Sequence, residues 1–413
     1  PGAALIGLHQ TAAREVRLNL CRKHNIEINR RLTGGGAIFF DSTQLGWEIV
    51  ASRQLPGAGT TLASLTRLVC EAAVRGLAKL GLKARFRARN DIEVKGRKIS
   101  GTGGAWEGDS FLFQGTLLVE FDPEIMVRAL RIPTEKLARH ELEAAHDRVT
   151  CLARELARTP PLAEIKAAME EGFAEALGIL LRPGDLTSLE MERAAHLRPF
   201  YASQAWLDEI REPIGNHRLL TSIHAGTGGT IRTLAALDLR HHRIKSVLFT
   251  GDFFVSPAGA LYDLEASLKD CAFDEADTHI SSFFTETRAD FLGLEAADFK
   301  TALISCLEKS AGAELGIPLE QADAVTLVNS HSLQSTLADV SVLLLPYCAK
   351  PLDCEFRNLD DCDDCGGCAV GRAYALARSK EILPISICDY KHLKEGLAAC
   401  RQAGVRSYMG CFC

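Results

Sequence analysis

The chain has 413 residues, 47% of them hydrophobic, and a formal net charge of −6. This length exceeds one ordinary domain, so we expect two or three domains, and the lack of a run of about 20 apolar residues argues against a membrane-spanning helix. Residues 1–150 hold 22 Lys and Arg against 16 Asp and Glu, whereas the remainder holds 25 against 37. The first module therefore suits an anionic ligand or an acidic partner, and it is too mildly basic for a nucleic-acid-binding protein.

Short β-rich segments dominate the first 55 residues: ALIGLH, IEINRRL, AIFFD and GWEIVASR. The next segment, TLASLTRLVCEAAVRGLAKLG, has apolar residues at helical spacing and a terminal glycine, which predicts a helix. ARFRARNDIEVKGRKISGT and FLFQGTLLVEFD follow, with turn residues that predict hairpin-like strands. This first part therefore reads as a mixed β-sheet flanked by helices.

The rest of the chain alternates between helical and β-rich stretches. Residues 134–182 are rich in Ala, Glu and Leu and predict helices broken at Pro160 and Pro161, with a linker at 182–185. Residues 215–255 predict three strands, in which GTGG at 226–229 is a turn. His241 and His242 raise the alternative of a metal site, but a polar hairpin turn is the better interpretation.

The segment RRLTGGGAIFF, residues 30–40, places three glycines between two arginines and a strand. Consecutive glycines expose several backbone N–H groups in one concave surface, which can hold an anion. Arg30 and Arg31 add guanidinium groups that match phosphate or carboxylate geometry. A tight hairpin turn is the alternative interpretation of the three glycines alone.

A second polar segment, RNDIEVKGRKISGTGGAW, begins at residue 89 and is followed by the strand-like FLFQGTLL. It contains Asn90 and Asp91, then Lys98, then a glycine-rich stretch at 101–108. Neither GxxxxGK[ST] nor GxGxxG is present, so these are not the common nucleotide-binding loops. Taken alone, Lys98 would be an ordinary solvent-facing lysine.

The order RRLTGGGAIFFD, RNDIEVKGRKISG and QGTLL resembles the lipoate–protein ligase family over residues 1–140. Residues 215–270, with GTIRTLAALDL and HRIKSVLFTGDFF, resemble that family's accessory domain. The resemblance implies a biotin/lipoate ligase-like catalytic domain over 1–185, a small α+β accessory domain over 186–305 and a cysteine-rich α/β domain over 306–413. Phe40 and Gln114 depart from the pattern, because the family commonly has histidine at these places.

The same resemblance implies ATP-dependent activation of lipoate to an acyl-adenylate, followed by transfer to a lysine of an acceptor lipoyl-domain protein. Lys98 would be the catalytic lysine between the carboxylate and the α-phosphate. Asp91 is a candidate for holding Mg²⁺, with a turn-capping role as the alternative. The implied lipoate- and ATP-binding residues are Arg31, Gly34, Gly35, Gly36, Ala37, Asn90, Asp91, Ser100, Gly101, Gly115 and Thr116.

Two further expectations concern the surroundings of this site. Residues 101–108 could form a mobile lid over the adenylate, with Trp106 as its anchor or as a surface aromatic residue. Ile38, Phe39, Phe40 and Trp47 could line an apolar tunnel for an eight-carbon chain, and the alternative is that they are plain core residues.

Most of the 14 cysteines follow position 300. Cys362, Cys365 and Cys368 have CxxCxxC spacing, and Cys348 and Cys354 precede them. This spacing favours an iron–sulfur cluster such as [4Fe–4S], with zinc or redox-active thiols as alternatives. The segment resembles a cysteine-rich domain of unknown function from anaerobic prokaryotes, which supplies no activity.

Two other functions stay open. An acyl-carrier-dependent octanoyl or lipoyl transferase on the same fold would need no ATP, and a non-catalytic sensor of lipoate or nucleotide would need no catalytic lysine. The sequence opens without a methionine or the basic region of a signal peptide and ends in GCFC. We therefore expect a cytoplasmic protein whose sequence is clipped at both ends, and no membrane partner.

Overall fold

The computed structural model divides into two compact units, Pro1–Leu307 and Glu308–Cys413. It describes residues 2–122, 126, 128–131, 148–210, 218–325, 333–362 and 366–411. The architecture is α+β, with mixed sheets and flanking helices in the first unit and a small parallel sheet in the second. The predicted fold class is therefore confirmed.

The first part of unit one contains two sheets. The strands are β1 (Ala3–Ile6), β2 (Glu27–Arg30), β3 (Ile38–Phe40), β4 (Gln44–Ser52), β5 (Ala84–Arg87), β6 (Asp91–Val94), β7 (Arg97–Glu107) and β8 (Ser110–Leu118). The small sheet has the order β2-β1-β3, with β1 parallel to β2 and antiparallel to β3. The large sheet has the order β4-β8-β7-β6-β5 with antiparallel pairs.

Helices cover one face of the large sheet. The helices described in this part of the chain are α1 (Ala12–Glu15), α2 (Leu18–Lys23), α3 (Leu62–Lys79), α4 (Leu152–Leu156), α5 (Leu162–Leu177), α6 (Ser188–Tyr201) and α7 (Gln204–Leu207). A capping box between Thr61 and Ser64 starts α3, which buries its apolar stripe in the main core. The α3 and α5 backbones meet at Gly76 and Gly172, where an added Cβ on Gly172 would lie 2.2 Å from the Gly76 nitrogen. Two glycines therefore allow this close helix pair.

The second part of unit one comprises residues 218–307, which we call the accessory region, and the accessory domain over 186–305 stays a prediction. Its strands and helices are β9 (Arg218–Gly226), β10 (Gly229–Asp238), β11 (Arg243–Gly251), β12 (Val255–Ser256), α8 (Ala260–Ser267), α9 (Ala276–Glu286), β13 (Asp290–Phe291) and α10 (Ala296–Glu308). The three long strands form an antiparallel meander. Its two connections are the GTGG turn and the hairpin of His241 and His242, so both turn predictions are confirmed. His241 Nδ1 donates to the Asp238 carboxylate within that hairpin.

The elements of unit two are α11 (Ala311–Glu314), α12 (Leu319–Ala322), α13 (Leu333–Ala338), β14 (Val340–Pro346), a 3₁₀ turn (Tyr347–Ala349), α14 (Ala369–Ser379), β15 (Leu383–Ile387), α15 (Tyr390–Gln402) and β16 (Ser407–Gly410). The three strands form a parallel sheet in the order β15-β14-β16. Lys350 is buried there, and its ammonium donates to the carbonyls of Phe356, Leu359 and Asp361. That ammonium holds the cysteine-bearing loop after β14 in shape.

The predicted lid over residues 101–108 is wrong. Residues 101–107 belong to β7, which lies between β6 and β8 in the middle of the large sheet, and Gly108 begins the turn that leads to β8. Trp106 is 3% exposed and packs edge-on against Phe111, so it is neither a lid anchor nor a surface residue. Among the described residues, no helix is long and apolar enough to cross a membrane.

Candidate functional site

Lys98 lies at the start of β7, beside a bulge in the pairing with β6. Its ammonium Nζ is 2.6 Å from Oδ1 of Asp91, an ionic contact rather than a well-directed hydrogen bond. The Lys98 side chain remains 40% exposed. The sequence places the two residues seven positions apart, and the hairpin of β6 and β7 folds them together. The result is a fixed but accessible positive charge.

The floor under Lys98 is made of small residues. An added Cβ on Gly101 would lie 3.0 Å from Lys98 Nζ and 4.0 Å from Thr116 Oγ1. Gly101 pairs with Thr116, which pairs with Gly46 on β4. The Phe40 ring covers Gly46 on the same face. Since paired residues point to the same side of a sheet, Lys98, Thr116 and Phe40 share one face, which we call the glycine face.

The glycine loop, residues 33–36, lies farther along that face. Thr33 Oγ1 is 3.0 Å from Gln114 Oε1, and Gln114 in turn donates to Glu48. Gln114 pairs with Gly103, and an added Cβ on Gly103 would lie 3.6 Å from Thr33 Oγ1. Gly103 and Gly101 are two positions apart in β7 and so face the same way. The loop and Lys98 therefore lie over one continuous strip of sheet.

Both arginines of the motif bind backbone carbonyls. Arg31 donates to Leu5 O at 2.7 Å, Gly36 O at 2.8 Å and Gly34 O at 3.2 Å, and its burial lowers its pKa to about 10. Arg30 is 5% exposed and donates to carbonyls of residues 7, 8, 10, 206 and 207. Arg31 thus fixes the shape of the glycine loop, and Arg30 ties β2 to the preceding loop and to α7.

The accessory region reaches directly into this site. The backbone N–H of Gly35 donates to Phe253 O at 3.1 Å. An added Cβ on Gly34 would lie 2.3 Å from Phe253 O, and one on Gly35, where φ is +90°, would lie 2.8 Å from the Phe254 ring. The Phe254 ring also lies 2.6 Å from an added Cβ on Gly103. The glycines thus make room for a segment of this same chain.

Asn90 closes a clasp around Thr102. The Asn90 side-chain amide donates to Thr102 O at 2.5 Å. The Asn90 backbone carbonyl accepts hydrogen bonds from the Thr102 backbone N–H and from the Thr102 hydroxyl, at 2.9 Å each. Thr102 Oγ1 also lies 3.3 Å from Cys70 Sγ. Burial raises the pKa of the Cys70 thiol to about 12, so this cysteine stays protonated.

Other predicted site residues lie on the opposite face of the sheet or beside the loop. Ser100 is 2% exposed, and its hydroxyl has no hydrogen-bond partner among the described residues. The Trp47 indole covers Gly115, stacks on Phe113 and packs against Phe173, so the expectation that Trp47 lines a tunnel is wrong. Ala37 packs partly buried against the core of the small sheet, where Phe39 is buried.

The cysteines of unit two do not form a recognisable ligand set in the described part of the chain. Cys348 is exposed, Cys354 and Cys368 are half-buried and Cys362 is buried, whereas Cys365 lies outside the described residues. Among the latter, no three His, Cys, Asp or Glu side chains are grouped to hold an ion. The iron–sulfur or zinc site stays a prediction.

Two residues escaped the sequence analysis. Phe254 reaches the glycine face at Gly103, 151 positions earlier in the chain, and no local pattern signals that contact. His9 is 1% exposed, stacks on Phe253 with ring centroids 5.5 Å apart, and has no hydrogen-bond partner for either ring nitrogen among the described residues. The signal available in the sequence was its place at the end of the apolar segment ALIGLH.

Known proteins resemble this chain in sequence and in fold. The family described as "Lipoyl protein ligase A/B catalytic domain" matches residues 1–174. "Octanoyltransferase LipM" of Kyrpidia tusciae is 32% identical over 50% of this chain and 83% of its own length. "Lipoate-protein ligase A subunit 1" of Thermoplasma acidophilum is 29% identical over 49% of this chain and 80% of its own.

A crystal structure of P. falciparum LipL1 in complex with lipoate has a TM-score of 0.52 and 19% identity, and it covers 70% of this chain and 80% of its own. That likeness shows the fold, and the sequence matches show an enzyme of the lipoate ligase and octanoyltransferase class. The chain belongs to the lipoyl protein ligase A/B catalytic domain family, through its residues 1–174.

Proposed function

We propose that the protein is an ATP-dependent lipoate–protein ligase. The observation that carries this proposal is the Lys98 ammonium over Gly101, on the same face as Thr116 and Thr33. A carboxylate and a phosphate that meet at this place would have a fixed cation beside them, with no side chain on the floor to keep them away. The 29% sequence identity of this chain to a protein named lipoate-protein ligase A subunit 1 supports the proposal.

The proposed reaction has two steps. The lipoate carboxylate attacks the α-phosphorus of ATP, pyrophosphate leaves with the electron pair of the broken P–O bond, and lipoyl-AMP remains. The ε-amine of a lysine in an acceptor lipoyl domain then attacks the acyl carbon, AMP leaves, and the amine loses a proton as the amide forms. Negative charge grows on phosphoryl oxygens and then on the acyl oxygen, so a preorganised cation accelerates both steps.

Asp91 would position the ammonium in this mechanism. The Asp91 side chain is 29% exposed, and its carboxylate contacts the Lys98 ammonium. This contact would hold the lysine over Gly101 before substrate arrives. Mg²⁺ commonly enters such sites with the nucleotide's phosphates and only one or two protein carboxylates, so Asp91 remains the candidate for that ion. Asn90, through its clasp on Thr102, would keep the β6–β7 hairpin in register.

The second candidate is an ATP-independent octanoyl transferase, which the 32% identity to an octanoyltransferase favours. A transferase with a cysteine nucleophile needs a thiolate at the site. Burial raises the pKa of both Cys21 and Cys70, and Cys70 contacts Thr102, on the face opposite Lys98. These two thiols therefore do not support the transferase. Cys151 lies nearer, because it follows Thr150, whose backbone N–H donates to Lys98 O at 2.8 Å, and it is the candidate nucleophile for this second function.

Pyrophosphate release separates the two functions. The full chain is incubated with lipoate, ATP and Mg²⁺, with and without an acceptor lipoyl domain, and in parallel with octanoyl-acyl-carrier protein without ATP. The ligase predicts pyrophosphate release that requires lipoate and falls at least 100-fold in Lys98→Ala. Release that is unchanged in Lys98→Ala, or transfer that proceeds without ATP, would contradict the proposal.

A further inference from the structure

We propose that Glu155 is a positioning residue, whose carboxylate ties residues 149–156 to the hairpin of β6 and β7 and thereby fixes Lys98 at the site. This inference rests on the proposed function, because it assumes that Lys98 acts in the reaction. The Glu155 side chain is 1% exposed. A buried carboxylate stays ionised only where cations and hydrogen-bond donors surround it, so the groups around Glu155 decide its role.

Three donors from two parts of the chain meet at this carboxylate, and we call their contacts the Glu155 clamp. Arg97 Nη2 donates to Glu155 Oε1 at 2.5 Å, and the Thr150 hydroxyl donates to the same oxygen at 2.7 Å. The Lys95 ammonium lies 3.0 Å from Glu155 Oε2. Burial alone would raise the pKa of Glu155, but these hydrogen bonds and positive charges lower it. Glu155 is therefore an anion that joins two cations of the hairpin to helix α4.

The two cations lie at the turn that leads into Lys98. This turn between β6 and β7 contains Lys95, with φ +50°, and Gly96, with φ +78°. Positive φ at both central residues is typical of tight hairpin turns, although a lysine rarely adopts it. The contact with Glu155 stabilises Lys95 in this turn, and Arg97 directly precedes Lys98 in β7.

The segment on the other side of the clamp contacts the Lys98 backbone directly. Val149 forms a parallel bridge with Lys98, and Thr150 N donates to Lys98 O at 2.8 Å. Cys151 follows as the N-cap residue of α4, and Glu155 N donates to Cys151 O at 3.1 Å. One carboxylate therefore holds together the backbone that carries Lys98 and the backbone that carries Cys151.

The clamp would matter for catalysis because the Lys98 ammonium must stand at a fixed place. A misplacement of about 1 Å can cost on the order of 100-fold in rate. The ammonium contacts Asp91, whereas the Lys98 backbone is held from the side of Thr150. We therefore expect loss of the clamp to lower kcat and to leave the KM for lipoate nearly unchanged.

The test uses Glu155→Gln, which keeps the size of the side chain and an oxygen for the Thr150 hydroxyl but removes the negative charge. The first readout is the rate at which iodoacetamide modifies Cys151, measured by peptide mass spectrometry on the full chain without substrates. Cys151 is 8% exposed, and Cys21, the internal reference, is 0% exposed. We expect the ratio of the Cys151 rate to the Cys21 rate to rise by about 10-fold or more, because local opening exposes Cys151 alone, whereas global unfolding exposes both thiols.

The second readout is steady-state pyrophosphate release. In Glu155→Gln we expect kcat to fall about 10-fold, and Glu155→Asp, which keeps the charge, should recover part of the loss. Glu15→Gln is the matched control, because the Glu15 side chain is 11% exposed and pairs with Arg232 elsewhere in the same unit. This control should leave both the rate ratio and kcat unchanged.

A folded Glu155→Gln in which either the rate ratio or kcat is unchanged overturns the inference. If Glu155→Gln does not fold, Arg97→Gln removes one donor of the clamp and should produce the same two changes; unchanged values there are equally contradictory. A parent chain that releases no pyrophosphate would contradict the ligase, and the rate ratio alone would then decide whether the clamp exists. Pyrophosphate release by the parent chain, with an unchanged ratio and kcat in the variant, would retain the ligase and remove the clamp.

Discussion

Lys98 Nζ lies 2.6 Å from Asp91 Oδ1, over the bare backbone of Gly101. The pair brings one cation and one anion to a position where Gly101 has no side chain, and the lysine is still 40% exposed. An incoming carboxylate or phosphate can thus compete for the ammonium without first creating space. The proposed chemistry depends on this arrangement.

Substitutions of Lys98 should distinguish the effect of its positive charge on catalysis from the effect of its side-chain shape. We expect Lys98→Ala to lower kcat/KM for lipoate-dependent pyrophosphate release by about 100- to 1,000-fold, the usual loss when one preorganised charge-stabilising group is removed. Lys98→Arg keeps the charge on a planar group and should recover only part of the activity. Steady-state kinetics measures both variants, and equal kcat/KM in Lys98→Ala and the unsubstituted enzyme would exclude Lys98 from catalysis.

Asp91→Asn tests the positioning role of the carboxylate. It removes the charge that holds Lys98 and keeps the shape, so we expect kcat to fall about 10-fold while the KM for lipoate changes less. The measurement is the split between kcat and KM at saturating ATP. A variant whose only defect is a higher KM for ATP and Mg²⁺ would instead favour Asp91 as a metal ligand.

Gly103→Ala should destabilise the protein because its Cβ would meet the Phe254 ring at 2.6 Å. Overpacking of this kind costs about 1–3 kcal/mol. The double variant Gly103→Ala with Phe254→Leu should regain part of that loss, which denaturant unfolding measures as a coupling energy. Gly184→Ala is the control, because nothing lies within 4 Å of its added Cβ. Additive effects in the double variant would show that the two residues do not touch.

His9 should make stability depend on pH. Burial, together with the charge of Arg30, lowers the pKa of His9 to about 4, below its ordinary value of about 6.5. Between these values the unfolded chain binds the proton and the folded chain does not, so stability falls as the pH drops through this window, by up to about 3 kcal/mol. His9→Phe keeps the stacking on Phe253 and should abolish this component in denaturant titrations from pH 7 to pH 4. An unchanged slope would contradict the buried neutral imidazole.

Glu265 should change stability with pH in the direction opposite to His9. Burial raises the pKa of Glu265 to about 7, although its carboxylate accepts a 2.7 Å hydrogen bond from Phe249 N. The folded chain keeps the proton that the unfolded chain releases near its ordinary pKa, so stability falls as the pH rises from about 4.5 to 7, by up to about 3 kcal/mol. In Glu265→Gln we expect a steeper rise of stability with pH over this range, because His9 then acts unopposed. The same slope as the parent chain would refute the shift.

Much of this architecture follows from the sequence. The strands β1 to β4, helix α3 and the accessory hairpins have clear local periodicity and turn residues, and the structure confirms them. The turn residues of the segment that starts at residue 84 also predict the hairpin of β6 and β7, and the structure adds that this hairpin brings Lys98 against Asp91. For these elements, the local sequence preferences and the final fold agree.

The errors come from long-range packing. Glycines at 101–108 look like a flexible loop, but neighbouring strands on both sides and the Phe254 ring decide their conformation. Trp47 fills the space above Gly115, a cross-strand partner almost 70 positions away. Neither contact leaves a periodic signal in the sequence, because both depend on which strands become neighbours.

The most direct test of the central claim is detection of the acyl-adenylate itself. The full chain is mixed with lipoate, ATP and Mg²⁺ in the absence of any acceptor, quenched, and analysed by mass spectrometry. The account predicts about one enzyme-bound lipoyl-AMP per chain and almost none in Lys98→Ala. Absence of lipoyl-AMP from the unsubstituted chain, under conditions where the same preparation modifies an acceptor lipoyl domain from octanoyl-acyl-carrier protein, would contradict it.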